Sequence, residues 1–238
     1  MIQFFRKIRQ NLLSKGKTGR YFKYAIGEIV LVVIGILIAL QINTWNEGRK
    51  ARAYEVKAVK GLIADTKADS IFYQSRVQLF SNQMESYRSL FEFCNSSNPI
   101  PQDSIQFNGS QVPFTLAANY SDVIHNHNEV MEVISSDSIK QILRDYYKSF
   151  EFVSKAIELS NADVREYGNV FHSRYMKMNH LKATRELVFY EGLCELDNYE
   201  AMLTHLMNRN QNAQHQSIRF LNDNTKLRSK LSAYLKDL

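Results

Sequence analysis

Proline is scarce in this chain, and its few occurrences are confined to one region. Pro99, Pro101 and Pro113 are the only three among 238 residues, and the turn dipeptide Asn108-Gly109 lies between them. Because proline removes a backbone donor and interrupts helices, its absence elsewhere permits long helices. The region from about residue 95 to 113 is therefore predicted to be a connection, and no strand-rich region is present.

Acidic residues are missing from the start of the chain. Residues 1–24 contain seven Lys or Arg residues and no Asp or Glu, and together with Glu28 they account for the whole formal charge of +6. The remaining residues are neutral overall. Since a nucleic-acid-binding domain needs a basic face on its folded part, we predict no nucleic-acid partner.

Sequence motifs that carry chemistry are also lacking. There is no HExxH zinc motif, no GxSxG nucleophile motif and no dinucleotide fingerprint. His125 and His127 are two residues apart, so on a helix their side chains would diverge. We predict no catalytic residue, no cofactor and no metal site, and we expect a protein that is not an enzyme.

One long apolar run is present near the N-terminus. Residues Ile26 to Ile42 read IGEIVLVVIGILIALQI, in which Glu28 is the one charged residue. About 20 residues cross the hydrocarbon core of a bilayer, so residues 24–44 are predicted to be a transmembrane helix. Tyr24 and Trp45 at its ends are typical interfacial aromatics. The alternatives are a cleaved signal peptide, which the length of the run and the poor cleavage site oppose, and a buried helix of a soluble protein.

The flanking charges predict an orientation for this span. Positive charges are more numerous before it than after it, where acidic residues offset them. The positive-inside rule then places the N-terminus in the cytoplasm. We expect a basic cytoplasmic leader at 1–23, the span at 24–44 and a periplasmic domain at 45–238, in the inner membrane of a bacterium.

Apolar residues recur with helical periodicity in the predicted periplasmic domain. Long helices are predicted at about 46–93, from Ser136 or Asp137 onward and from about Asn198 to the end, with a shorter helical piece at 114–134. The fold class is all-α: an N-terminal transmembrane helix followed by an elongated antiparallel bundle of three long helices and one short. The seam of the last helix includes Asn210 and Asn224, polar residues of a kind that fixes register. Two rows spaced by seven mark the first helix: Val56, Ile63, Ser70, Val77, Met84 and Phe91, and Val59, Thr66, Tyr73, Phe80, Tyr87 and Cys94.

The two cysteines, Cys94 and Cys194, test how these helices are connected. In the simplest layout the short piece caps the tip, the third helix descends and the last rises, which separates the two cysteines. A regular up-down-up-down bundle would place both at the tip. We expect the first layout and no disulfide, with both cysteines acting as small apolar core residues.

A stripe of small residues in the span predicts helix packing. Glu28, Gly35 and Ala39 share one side of the helix because they are spaced by seven and four residues. Gly35-x3-Ala39 is a small-x3-small pattern typical of membrane helix contacts. An acid within a span marks a functional site, so Glu28 would meet a polar partner there. The alternatives are an interfacial glutamate that reaches water and a proton-carrying acid.

The opening of the chain resembles a bacterial family of single-span membrane proteins with a domain of unknown function. The residues that carry the resemblance run from Tyr21 to Glu47, with Phe4-Phe-Arg-Lys-Ile-Arg9 before them, and Ala118-Asn-Tyr120 and Tyr146-Tyr147 resemble the middle of the family. The resemblance implies a membrane anchor and a helical domain, and it implies no activity.

These observations predict a membrane-anchored helical module that binds proteins. Its expected partners are the lipid bilayer and either further copies of itself or another membrane protein. The alternative is an extracytoplasmic sensor or ligand-binding domain that signals through a partner, since the leader is too short to hold an output domain.

Overall fold

The computed structural model describes residues 18–96, 114–126, 129–175 and 194–238. Within them the chain forms five helices and no strand. The basic leader up to residue 17 and most of both predicted connections lie outside the described residues. The helices are α1 (Thr18–Asn95), α2 (Asp122–Asn126), α3 (Val130–Val133), α4 (Asp137–Tyr175) and α5 (Tyr199–Asp237).

The all-α prediction is confirmed, and the chain divides into two compact units. The first ends at Tyr54 and the second begins at Glu55. In the first unit, α1 is strongly apolar and its large side chains between Ile26 and Ile42 are exposed. Among the described residues, α1 is the one helix that is long and apolar enough to cross a membrane.

The second unit is a helical bundle in which α1, α4 and α5 are the long elements. Contacts between α1 and α5 run in opposite directions along the two helices, from Glu55 with Tyr234 to Asn95 with Tyr199. The α4 helix is likewise antiparallel to α5, since Ser149 bonds Asp223 and Ser160 bonds Asn210.

The segment from Phe114 to Ser135 runs antiparallel to α1 along the bundle. Thr115 contacts Gln83, Ser121 contacts Asp69, and Ser135 contacts Glu55. We call residues 114–135 the crossing segment. Of its described residues, 114–126 and 129–135, only those of α2 and α3 are helical, so the prediction of a helical piece over all of 114–134 is wrong.

The predicted layout, in which this piece caps the tip, is also wrong. A helix rises 1.5 Å per residue, and a wholly helical piece of this length would be too short to return along α1. Extended backbone rises more than 3 Å per residue. Because residues 115–121 are not helical, the crossing segment spans the distance, α4 runs parallel to α1, and α5 runs back again.

The aromatic centre of the core joins the three long helices. The Phe220 ring lies 4.5 Å from the Tyr73 ring and 4.7 Å from the Tyr146 ring, measured between centroids. All three side chains are fully or almost fully buried. The predicted row Val59, Tyr73, Phe80 and Tyr87 is buried, as the heptad spacing indicated.

The crossing segment begins with a strained residue. Phe114 has φ of 62°, in the left-handed region that residues other than glycine and asparagine rarely adopt. Its buried ring packs against Tyr87, and its Cβ approaches α4 at Gly168. A Cβ added at Gly168 would lie 3.2 Å from the Phe114 Cβ, so this position favours glycine.

Candidate functional site

The most distinctive feature of the bundle is a set of polar side chains buried between its helices. Asp69 of α1 lies at its centre and is almost fully buried. Its Oδ2 accepts hydrogen bonds from the Ser121 hydroxyl at 2.6 Å and the Tyr146 hydroxyl at 2.8 Å, and its Oδ1 accepts one from the Asp122 backbone N–H at 2.6 Å. One carboxyl group thus joins α1, the crossing segment and α4.

Burial shifts the acid–base behaviour of this group. Desolvation raises the pKa of Asp69 above its ordinary value, and the hydrogen bonds from Ser121 and Tyr146 oppose the rise. Burial likewise raises the pKa of Tyr146, with the nearby Asp69 charge acting in the same direction. Both effects arise because an ion loses the solvation of water when it is buried.

Asn224 extends the cluster to α5. Its Nδ2 donates to the Tyr146 hydroxyl at 3.0 Å, and its side chain has no exposed surface. Its Oδ1 has no hydrogen-bond partner within the described part of the chain. Asp69, Tyr146 and Asn224 therefore form a linear chain of polar groups across three helices.

A second polar layer lies further along the bundle. Asn210 of α5 donates to Gln83 of α1 at 3.0 Å and accepts from Ser160 of α4 at 2.6 Å. Asn210 and Ser160 are buried. The prediction that Asn210 and Asn224 lie in the helical seam is therefore confirmed.

Side-chain amides hold the extended part of the crossing segment. Asn161 bonds both backbone groups of Ala117, accepting from its N–H and donating to its carbonyl, each at 2.8 Å. Gln83 donates to the Thr115 carbonyl. These bonds take the place of the helical ones that this backbone lacks.

Glu55 holds the other end of the crossing segment. This buried carboxylate accepts from the Ser135 backbone N–H and from the Tyr234 hydroxyl. Two acids of α1, Glu55 and Asp69, thus anchor the crossing segment. Reasoning from the sequence assigned neither residue this role, and counted Glu55 only among the charges that follow the span. The signal that could have identified them is an acidic residue on the apolar side of a helix with heptad spacing.

The predicted membrane stripe lies on α1 in the first unit. Gly35 and Ala39 are exposed and Glu28 is half-buried. A Cβ added at Gly35 would meet nothing within 4 Å, so a neighbouring helix could approach closely. The role of these three residues in helix packing stays a prediction.

Cys94 and Cys194 are joined in a disulfide, with their Cα atoms 5.2 Å apart. The prediction that they do not pair is therefore wrong. Its basis was the capping layout; because α5 begins where α1 ends, both cysteines lie at the same end of the bundle.

Charged groups elsewhere form smaller contacts. Asp163 of α4 accepts from Arg209 at 2.8 Å and pairs with His205 at 2.9 Å, both on α5. Over the described ranges, no group of three or more His, Cys, Asp or Glu residues is placed to hold a metal ion. The predicted lack of metals and cofactors stays a prediction.

Comparison with known families supports the resemblance that the opening residues indicated. Residues 28–142 match the model of a family of unknown function (DUF6090). The match covers most of the apolar run, the rest of α1, the crossing segment and the start of α4. No curated protein and no solved structure matches the chain.

Proposed function

We propose that this protein is a membrane-anchored helical module that binds other proteins, among them a second copy of itself, and catalyses no reaction. The observation that carries the proposal is the change in exposure along α1. Its large apolar side chains from Ile26 to Ile42 are exposed, whereas from Val59 onward one side of the helix is buried in the bundle. An apolar surface of this extent needs lipid or protein around it.

The bundle is proposed to lie outside the cytoplasm, in the periplasm, with the anchor in the inner membrane. The basic residues before the span support a cytoplasmic N-terminus, because the flank of a span that is richer in Lys and Arg remains in the cytoplasm. The disulfide between Cys94 and Cys194 supports the same orientation, since cytosolic thiols are kept reduced.

A single introduced cysteine on either side of the span tests this orientation. Ser229→Cys places a thiol on an exposed position of α5, and Thr18→Cys places one before the apolar run. A membrane-impermeant maleimide is expected to label Ser229→Cys in intact spheroplasts and Thr18→Cys only after lysis. The native cysteines are bonded to each other and provide no background. The reverse labelling pattern would reject the proposed orientation.

Self-association is proposed to use the Gly35 and Ala39 side of the span. The double variant Gly35→Leu with Ala39→Leu fills the small-residue surface and is expected to reduce cross-linked dimer severalfold, because close approach of the backbones is lost. Cross-linking of the full chain in native membranes measures this.

The matched control enlarges the opposite side of the same helix. Val30→Leu with Val33→Leu also adds bulk to the span, and it is expected to leave the yield of dimer unchanged. Equal yields for both double variants would remove Gly35 and Ala39 from the interface. A chain that stays monomeric and captures no partner protein would contradict the proposed function itself.

A further inference from the structure

The chain of polar groups from Asp69 through Tyr146 to Asn224 has a defined direction. Tyr146 has one hydroxyl proton. With Asp69 ionised, the carboxylate can only accept, so Tyr146 donates that proton across the 2.8 Å contact. The Tyr146 oxygen can then only accept from Asn224, across 3.0 Å. The charge of Asp69 on α1 thereby determines which atom of the Asn224 amide on α5 faces Tyr146.

This direction accounts for an unusual cost at the far end of the chain. Because Asn224 must present its nitrogen to Tyr146, its Oδ1 is turned away, and that atom is buried without a partner. A buried acceptor without a donor is unfavourable, because it has lost its hydrogen bonds with water. The orientation of the amide, and with it the unpaired position of Oδ1, is tied to the ionised state of Asp69, since only that state prevents Tyr146 from donating to Asn224.

We propose that Asp69, Tyr146 and Asn224 form a proton-operated relay, in which binding of one proton by Asp69 reverses the hydrogen bonds of the chain and turns the Asn224 amide. The proton comes from solvent and forms an O–H bond at Oδ2. Asp69 then donates to the Tyr146 oxygen, and Tyr146 turns its own proton to Asn224. The amide rotates to present Oδ1, so one titration on α1 changes the contact made by α5.

Among the described residues, no cation bonds Asp69. The crossing segment presents the Ser121 hydroxyl and the Asp122 N–H. The same segment carries two ionisable side chains in this region, Tyr120 and Asp122. The α4 helix presents Tyr146, and α5 reaches Asp69 only through Asn224. On α1 itself the neighbouring ionisable groups are Asp65, Tyr73 and Arg76. Burial raises the pKa of Tyr73, and the Asp69 charge raises it further. Hydroxyl and backbone donors alone therefore stabilise the ionised form.

The pH range of the relay follows from the direction of the shift. Burial raises the pKa of Asp69 in the folded state above the ordinary value of 3.8, so the folded chain holds the proton more tightly than the unfolded chain. The contribution of the Asp69 proton to the stability of the fold is therefore greatest at a pH below the ordinary pKa of the carboxyl group. This contribution is lost as the pH rises from there through the raised pKa of the folded state.

Nuclear magnetic resonance of the full chain in lipid nanodiscs tests the relay directly. The Asp69 carboxyl carbon and the Asn224 side-chain amide group are followed as the pH is changed. In the wild type, both signals are expected to move with one shared midpoint, above the ordinary carboxyl range. In Tyr146→Phe, the Asn224 signals are expected to stop responding, while the Asp69 midpoint shifts upward because a donor to its ionised form is lost.

Two further variants separate the relay from a general effect of charge. Asp69→Asn is expected to abolish the response of Asn224, whereas Asp65→Asn, one turn earlier on α1, leaves it unchanged. An Asn224 signal that ignores pH in the wild type, or one that still titrates in Tyr146→Phe, would overturn the proposal. An ordinary midpoint for Asp69 would overturn it too. If Asp69→Asn does not fold, the wild type and Tyr146→Phe decide the question.

Discussion

Replacing Cys94 and Cys194 together by serine is expected to lower the free energy of unfolding of the bundle by about 4 kcal/mol. The disulfide joins residues separated by 100 positions. A cross-link that closes a loop of this length removes much of the conformational freedom of the unfolded chain. Urea unfolding of the full chain in mild detergent, followed by circular dichroism, measures the change as a lower midpoint. The slope is expected to rise, because the chain without the cross-link exposes more surface on unfolding.

Chemical reduction provides the matched control for the serine variant. Wild-type protein treated with a reductant is expected to unfold at the midpoint of the double variant, and Cys94→Ser alone should behave in the same way. Equal midpoints for oxidised wild type and double variant would show that the cross-link contributes nothing. Two free thiols in protein isolated from membranes would contradict the pairing and weaken the proposed periplasmic location.

The disulfide also shows where reasoning from the sequence reached its limit. Heptad spacing predicted the long helices and the buried row with Val59, Tyr73 and Phe80. It did not determine whether the residues after 114 would be helical, because apolar spacing says nothing of backbone bonds to distant side chains. Asn161 and Gln83 supply those bonds to the crossing segment, and the crossing segment determines the topology.

The polar cluster around Asp69 was hidden from the sequence for a related reason. Its members are far apart in the chain: Asp69 and Tyr146 are separated by 77 residues, and Tyr146 and Asn224 by 78. Periodicity identifies one side of one helix, and it does not pair positions on different helices. Asn224 could be placed in a seam, whereas its partner could be identified only from the fold.

Buried polar groups and close-packed rings have complementary roles in this bundle. Polar contacts are costly to leave unmade, so Asp69 and the Gln83–Asn210–Ser160 layer penalise helices that slide out of register. The rings of Tyr73, Tyr146 and Phe220 supply apolar burial at the same level. Removing one of these rings should therefore reduce the stability of the bundle, while the hydrogen-bonding groups of Asp69 and Asn224 stay the same.

Phe220→Ala is expected to destabilise the bundle by about 3–5 kcal/mol, since it removes a fully buried ring and leaves a cavity. Phe220 has 0% of its surface exposed and lies against Tyr73, Tyr146 and Phe150. Urea unfolding of the full chain measures the loss.

Phe152→Ala on α4 is the matched control, because it removes the same ring from a position that is 61% exposed. Its effect is expected to stay within about 0.5 kcal/mol. Similar losses for the two variants would mean that Phe152 is covered in the assembled protein, which would reveal a protein contact on α4. A negligible loss for Phe220→Ala would contradict the arrangement of α1, α4 and α5 around this ring.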